Sequence, residues 1–209
     1  MSFLEKNGLK IFLFLILFLP YSITAETKKL LILGDSISAG YGIKESKNWV
    51  TLLEKKLNAD NENTYILVNA SISGDTSSGG VSRIEKALNT HSPDFVLIEL
   101  GGNDALRGYP IININQNIDQ IINIVLRKNS KPILMQIKIP PNYGKKYVEA
   151  FENIYKNISS KYEIPLIDFI LENVALKKSL MQFDGIHPNE MAQPIMAEQI
   201  KSSLIKIMK

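Results

Sequence analysis

The chain has 209 residues, 45% apolar and 22% charged, ordinary proportions for a globular protein able to bury a sizeable core. A net charge of +3 is too mild to argue for nucleic acid or an anionic membrane as partner, and Lys145-Lys146 and Lys177-Lys178 are short pairs of the kind a solvated surface carries. With no cysteine, the sequence excludes a disulfide, a thiol nucleophile, a thiolate metal site and a lipidated cysteine.

Residues 1–25 read as a secretory signal peptide. Lys6 and Lys10 precede the apolar run 11–19, which Pro20 and the small-residue end Ser22-Ile23-Thr24-Ala25 follow. The run falls well short of the roughly 20 residues of a spanning helix. An uncleaved anchor is the rival reading. Cleavage after Ala25 leaves residues 26–209, with a net charge of +2, as one domain with no membrane span. The expected destination is the periplasm of a Gram-negative-type cell, with secretion as the alternative.

From Glu26 onward, five apolar runs alternate with polar stretches, at 30–33, 65–68, 95–100, 133–137 and 166–167. The first is apolar without alternation, as in a strand buried on both faces. The stretches between show helical spacing: Trp49, Leu52, Leu53 and Leu57; Val81, Ile84 and Leu88; Ile111, Ile114, Ile118, Ile121, Ile122 and Val125; Val148, Phe151, Ile154, Tyr155 and Ile158. A last helix carries Ile195, Ile200, Leu204 and Ile207. Strands alternating with helices predict right-handed βαβ units and a parallel sheet covered on both sides. Ser77-Ser78-Gly79-Gly80 predicts a mobile loop, 106–110 a loop after the third strand, and 140–144 a rigid loop after the fourth.

Phosphate-loop and dinucleotide-loop glycine patterns are absent, as is a Gly-x-Ser-x-Gly elbow. The chemistry must be sought where open parallel sheets place ligands, past the carboxyl ends of the strands. Ser36, in Gly34-Asp35-Ser36 at the end of the first run, is the candidate nucleophile, and Gly34 lets the backbone turn tightly. Of the two histidines, His91 belongs at a helix end on the far edge of the sheet, a surface or capping residue. His187 lies in Asp184-Gly185-Ile186-His187-Pro188, before a helix that Pro188 can start. Asp184 can fix the imidazole tautomer and leave the other nitrogen free to take a hydroxyl proton, or the pair can simply tie down a loop. Gly74 offers a backbone N–H and Asn103 a side-chain amide to an oxyanion, while Gly101-Gly102-Asn103-Asp104 also reads as a plain turn. Thr76, in Gly74-Asp75-Thr76, is a formal rival nucleophile.

Taken together, Leu31-Ile32-Leu33-Gly34-Asp35-Ser36-Ile37-Ser38-Ala39-Gly40-Tyr41, Asn69-Ala70-Ser71-Ile72-Ser73-Gly74-Asp75-Thr76, Glu99-Leu100-Gly101-Gly102-Asn103-Asp104, Met135-Gln136-Ile137 and Asp184-Gly185-Ile186-His187-Pro188-Asn189 come in a telling order and spacing. In these blocks the sequence resembles the SGNH (GDSL-type) hydrolases over residues 26–209, and most closely that family's periplasmic bacterial thioesterases and lysophospholipases. Ile37, where the family usually has Leu, is a small departure. The resemblance implies a flavodoxin-like three-layer α/β/α sandwich with a five-stranded parallel sheet. It implies Ser36 as nucleophile, Asp184 and His187 as acid and base, and the N–H of Ser36, the N–H of Gly74 and the Asn103 amide as oxyanion hole. No cofactor and no metal are expected, the substrate is a small acyl thioester or ester, and the protein is expected to be a monomer. Asp35 is then a residue that braces the turn.

Ile72, Asp75, Leu106 and Tyr109, with Ile139, are candidates for the acyl-binding border of the site; Ile72 and Ile139 read equally as packing residues. Three alternatives stand: a carbohydrate O-deacetylase of the same family, a non-catalytic lipid-binding relative, and a metallohydrolase built from Asp35, Asp104, Asp184 and His187.

Overall fold

A computed structural model describes residues 26–59 and 64–208. The segment read as a signal peptide lies outside the described residues. In chain order the elements are β1 (Thr27–Gly34), α1 (Ser36–Ala39), α2 (Trp49–Ala59), β2 (Thr64–Asn69), α3 (Ser77–His91), β3 (Phe95–Glu99), α4 (Gly102–Leu106), α5 (Ile111–Arg127), β4 (Lys131–Met135), α6 (Lys145–Tyr162), β5 (Leu166–Ile167) and α7 (Gln193–Ile207). The strands form one parallel sheet in the order β2-β1-β3-β4-β5, the five-stranded arrangement expected.

Burial on two faces explains the unbroken apolar runs. Leu30, Leu31, Ile32 and Leu33 of β1, and Val96, Leu97 and Ile98 of β3, are inaccessible to solvent. On the helices, α7 packs on α2, α3 on α5, and α5 on α6, so helical layers sandwich the sheet. The α5 stripe inserts Ile114, Ile118, Ile121, Ile122 and Val125. The last helix departs from the expected stripe. Its buried face is Met196, Ala197, Ile200 and Leu204, at i, i+1, i+4 and i+8, and Ile195 lies about 100° off it at 37% exposure.

Strand order fixes the place for a site. The chain leaves β1 toward β2 on one side and returns as β3 on the other, so the carboxyl ends of β1 and β3 flank a topological switch point. Register pairs Gly34 with Glu99 there. The connections following both strands therefore start side by side.

Three local expectations are corrected. Ser77-Ser78-Gly79-Gly80 is the first turn of α3, because Thr76 caps it with Oγ1 accepting from the Gly79 N–H, and Asp104 accepts from the Ser77 N–H at 2.8 Å and its O–H at 2.7 Å. Gly102–Leu106 is a short helix rather than a plain turn. Pro188 starts no helix; it bridges to Met181, and Pro194 occupies the first turn of α7.

Leu97 lies at the centre of β3 with both neighbouring strands paired to it. Replacing it by Ala should cost about 2–5 kcal/mol, seen as a lower urea midpoint with an unchanged m value.

Candidate active site

The β1 run ends in Gly34, and its missing side chain is used for close approach rather than for an unusual turn. A Cβ there would stand 2.5 Å from Glu99 Oε2 and 2.8 Å from Ser38 Cβ. Asp35 caps α1, its Oδ1 accepting from the Ile37 N–H at 3.0 Å, so Ser36 becomes the first residue of that helix. Gly40 ends it in the left-handed conformation after a single turn.

His187 reaches Ser36 from the opposite end of the sequence. The segment after β5 returns across the carboxyl edge of the sheet and is pinned at several points. Gln182 Nε2 donates to the Tyr41 and Pro188 carbonyls, at 2.7 and 3.0 Å. The buried Gln193 accepts from the Trp49 N–H at 3.0 Å and ties α7 to α2. Lys47–Glu190 and Lys56–Glu198 ion pairs flank that seam. As a result His187 Nε2 lies 2.9 Å from Ser36 Oγ, and His187 Nδ1 lies 2.7 Å from Asp184 Oδ2. Asp184 Oδ1 also accepts from the backbone N–H groups of His187, at 3.0 Å, and Ile186, at 2.9 Å. These bonds, the His187 N–H first, hold the Asp184 carboxyl down at about 2, so it is an anion across the working pH range.

The loops after β2 and β3 come to the same edge. Gly74 has φ +78°, and the space where its side chain would be is open; its glycine is required by backbone conformation. Among the described residues, neither the Gly74 N–H nor the Ser36 N–H bonds to a protein acceptor. The Asn103 amide sits between two elements, donating to Asp35 Oδ2 and to the Asp75 carbonyl, each at 3.0 Å.

The remaining candidates divide. Ile72 and Tyr109 are 53% and 43% exposed, and Leu106 is half-buried. The 106–110 loop is tied down by Tyr143, whose hydroxyl donates to the Leu106 carbonyl, and by Tyr147, which donates to that of Tyr109. Ile139 is a core residue. The Asp75 carboxylate turns inward, accepting from Arg83 Nε at 2.7 Å and the Thr76 N–H at 2.9 Å, so it is the Asp75 carbonyl that meets the site. Thr76 Oγ1 is the α3 cap. His91 ends α3, where its carbonyl accepts from Lys29 Nζ. Of the four residues weighed for a metal, Asp184 and His187 bond to each other while Asp104 turns to Ser77; no group of three metal-holding His, Asp or Glu side chains occurs among the described residues.

Three residues bear on the site although the sequence analysis gives them no role. Arg83 donates to the carbonyls of Gly34 and Ala70 as well as to Asp75, so one guanidinium joins the ends of β1 and β2 to α3. Its only sequence signal is a charge one position off the Val81, Ile84, Leu88 stripe. The Tyr41 ring packs against His187, tilted by 38° with centroids 4.5 Å apart. Glu99 is buried under the Ser36 turn. Asp35 is buried too, which pushes its carboxyl up to about 6 against the lowering effect of the Ile37 N–H and of His187.

A family model for the GDSL-like Lipase/Acylhydrolase family matches residues 32–193. The Thioesterase 1/protease 1/lysophospholipase L1 of Escherichia coli (strain K12) is 46% identical over 193 residues, 92% of this chain and 90% of that protein. An arylesterase of Vibrio mimicus is 41% identical over 193 residues, 92% of this chain and 96% of its own length. Among solved structures, the psychrotrophic esterase EstA from Pseudoalteromonas sp., inhibited by monoethylphosphonate, superposes with a TM-score of 0.84 at 39% identity, covering 87% of this chain and 98% of that one.

Asp35 links the site to stability. The folded carboxyl holds its proton up to about pH 6, the unfolded one only to about 3.9. The folded state therefore binds more protons in between, and the stability this group contributes, full below about pH 4, is lost as pH rises through 6. Urea unfolding at pH 4 and pH 7 should show that Asp35→Asn removes this part of the pH dependence; an equal slope in the variant would refute the shift.

Proposed function

The chain belongs to the GDSL-like lipase/acylhydrolase family, and on that premise we propose that it is a serine esterase that hydrolyses acyl esters and thioesters through an acyl-enzyme. The observation that carries the reading is the line Ser36 Oγ, His187 Nε2, His187 Nδ1, Asp184 Oδ2, with links of 2.9 and 2.7 Å. The Asp184 anion holds the Nδ1–H tautomer, which leaves Nε2 as the acceptor for the Ser36 proton.

In the first step His187 takes the proton of Ser36 as its oxygen attacks the acyl carbonyl, and the carbonyl oxygen becomes an oxyanion. The Ser36 and Gly74 N–H groups bind it. Asn103 adds a third donor by sharing the proton it now gives to the Asp75 carbonyl. His187 then gives its proton to the leaving alcohol or thiol, and the ester bond to that group breaks. A water, deprotonated by the same nitrogen, releases the acid and restores Ser36. Ile72, Leu106 and Tyr109 supply apolar surface for the acyl chain, a role suited by the exposure of Ile72 and Tyr109. The names of the relatives, thioesterase, lysophospholipase and arylesterase, support a broad acyl range.

Residues 1–25 are proposed as a signal peptide, and the mature domain as a periplasmic monomer. No helix among the described residues is long and apolar enough to cross a membrane. Amino-terminal sequencing of the periplasmic protein should begin at Glu26; a product retaining Met1 in the membrane fraction would sink the export reading.

On p-nitrophenyl esters and acyl-CoA from two to sixteen carbons, Ser36→Ala and His187→Ala should abolish turnover and labelling by a fluorophosphonate. Asn103→Ala should slow turnover by about 10² to 10³. Acid should slow turnover, because only a neutral His187 can accept the proton of Ser36. A preference for acetyl esters alone would favour the deacetylase, and full activity in Ser36→Ala would discard the nucleophile.

A further inference from the structure

Beneath the nucleophile turn lies a carboxyl group that the proposed cycle leaves unused. Glu99 ends β3, stands opposite Gly34 in the β1–β3 register, and is 2% exposed. Its Oε2 accepts from the Asp35 N–H at 3.3 Å and from the Ser38 O–H at 2.8 Å. The same oxygen fills the room that a side chain at position 34 would take, 2.5 Å from where its Cβ would be. One atom thus touches the chain at 34, 35 and 38, on both sides of Ser36. The other end of α1 is held separately, with the Ser38 carbonyl accepting from Asn48 Nδ2 at 3.0 Å and Asn69 Nδ2 at 2.7 Å. At the entry into the turn Glu99 holds the Asp35 N–H, beside the bond from Arg83 to the Gly34 carbonyl.

We propose that Glu99 is a positioning residue for Ser36, and that it holds the strand-end turn as an uncharged acceptor. The inference rests on the serine-esterase reading. Position matters because a nucleophile displaced by about 1 Å can lose on the order of 10² in rate.

The surroundings favour the neutral form. Burial raises the Glu99 carboxyl well above its usual range, and the neighbouring Asp35 adds to this. The titratable groups facing it are Asp35 from the turn and Tyr155 from α6, whose hydroxyl donates to the Leu100 carbonyl. Arg83 approaches from α3 only as far as the Gly34 carbonyl, and its charge is paired with Asp75. His187 lies beyond Asp35 and interacts with that carboxyl. A second anion at Glu99 would stand against Asp35 with no cation paired to it among the described residues. A neutral acid accepts the same two hydrogen bonds without that repulsion.

Glutamine is then the functional substitute and leucine is not. In the full chain, kcat and KM for p-nitrophenyl butyrate are measured from pH 5 to 9 in wild type, Glu99→Leu and Glu99→Gln. Leucine should lower kcat by about tenfold or more with KM within about twofold, as expected when an interaction serves the transition state rather than binding. Glutamine should restore kcat to within about threefold, with the ascending limb at the wild-type pH. Wild-type kcat in the leucine variant, no rescue by glutamine, or a displaced limb in the glutamine variant each overturns the proposal. Should Glu99→Leu fail to fold, Ser38→Ala removes one of the two hydrogen bonds and should lower kcat severalfold at unchanged KM; an unchanged kcat overturns the role. A wild type that leaves the ester intact refutes the esterase reading itself, whereas equal rates among active variants refute only the part given to Glu99.

Discussion

The parallel pairing of β1 with β3 is the constraint on which the site depends. Because Gly34 and Glu99 are in register, the turn holding Ser36 and the short helix holding Asn103 leave the sheet as neighbours. Their side chains then close on each other through Asp35 and Asn103. A one-residue slip would turn Glu99 to the other face of the sheet and strip the Ser36 turn of its acceptor. The apolar runs of both strands, buried on two faces, hold the register against such a slip.

A second set of contacts completes what the sheet begins. Arg83 gathers the carbonyls at the ends of β1 and β2, and Asp104 reaches from α4 to the first turn of α3. The Gly74 loop therefore lies between two polar clamps rather than against apolar packing. Buried polar groups of this kind cost free energy unless fully paired, and here each oxygen of Asp104 and Asp75 finds a donor. The same logic makes Asp35 expensive, since burial works against its charge.

The architecture was legible in the sequence because its signal is local: unbroken apolar runs, helical stripes and glycine at strand ends. So was the grouping of Ser36, Gly74, Asn103, Asp184 and His187 on one edge, since a parallel sheet sends every β-to-α connection the same way. The errors came where distant chain overrides local propensity. Ser77-Ser78-Gly79-Gly80 has the composition of a mobile loop, but Asp104, 27 positions on, holds it helical. Glu99 meets Ser38 across 61 positions and Arg83 meets Gly34 across 49, so no window of sequence shows either pairing. Gly34 is glycine less for a tight turn than for room: a carboxyl oxygen takes the place of its side chain.

The Ser36–His187 bond spans 151 positions, and the segment bearing His187 is anchored through Gln193 and the packing of α7 on α2. A chain emerging from its amino end therefore carries Ser36, its turn and the Gly74 and Asn103 loops long before it carries His187. Throughout that interval Ser36 stands without the imidazole that takes its proton in the proposed cycle. On the proposed reading the Ser36–His187 pair is completed late, with the docking of the last helix.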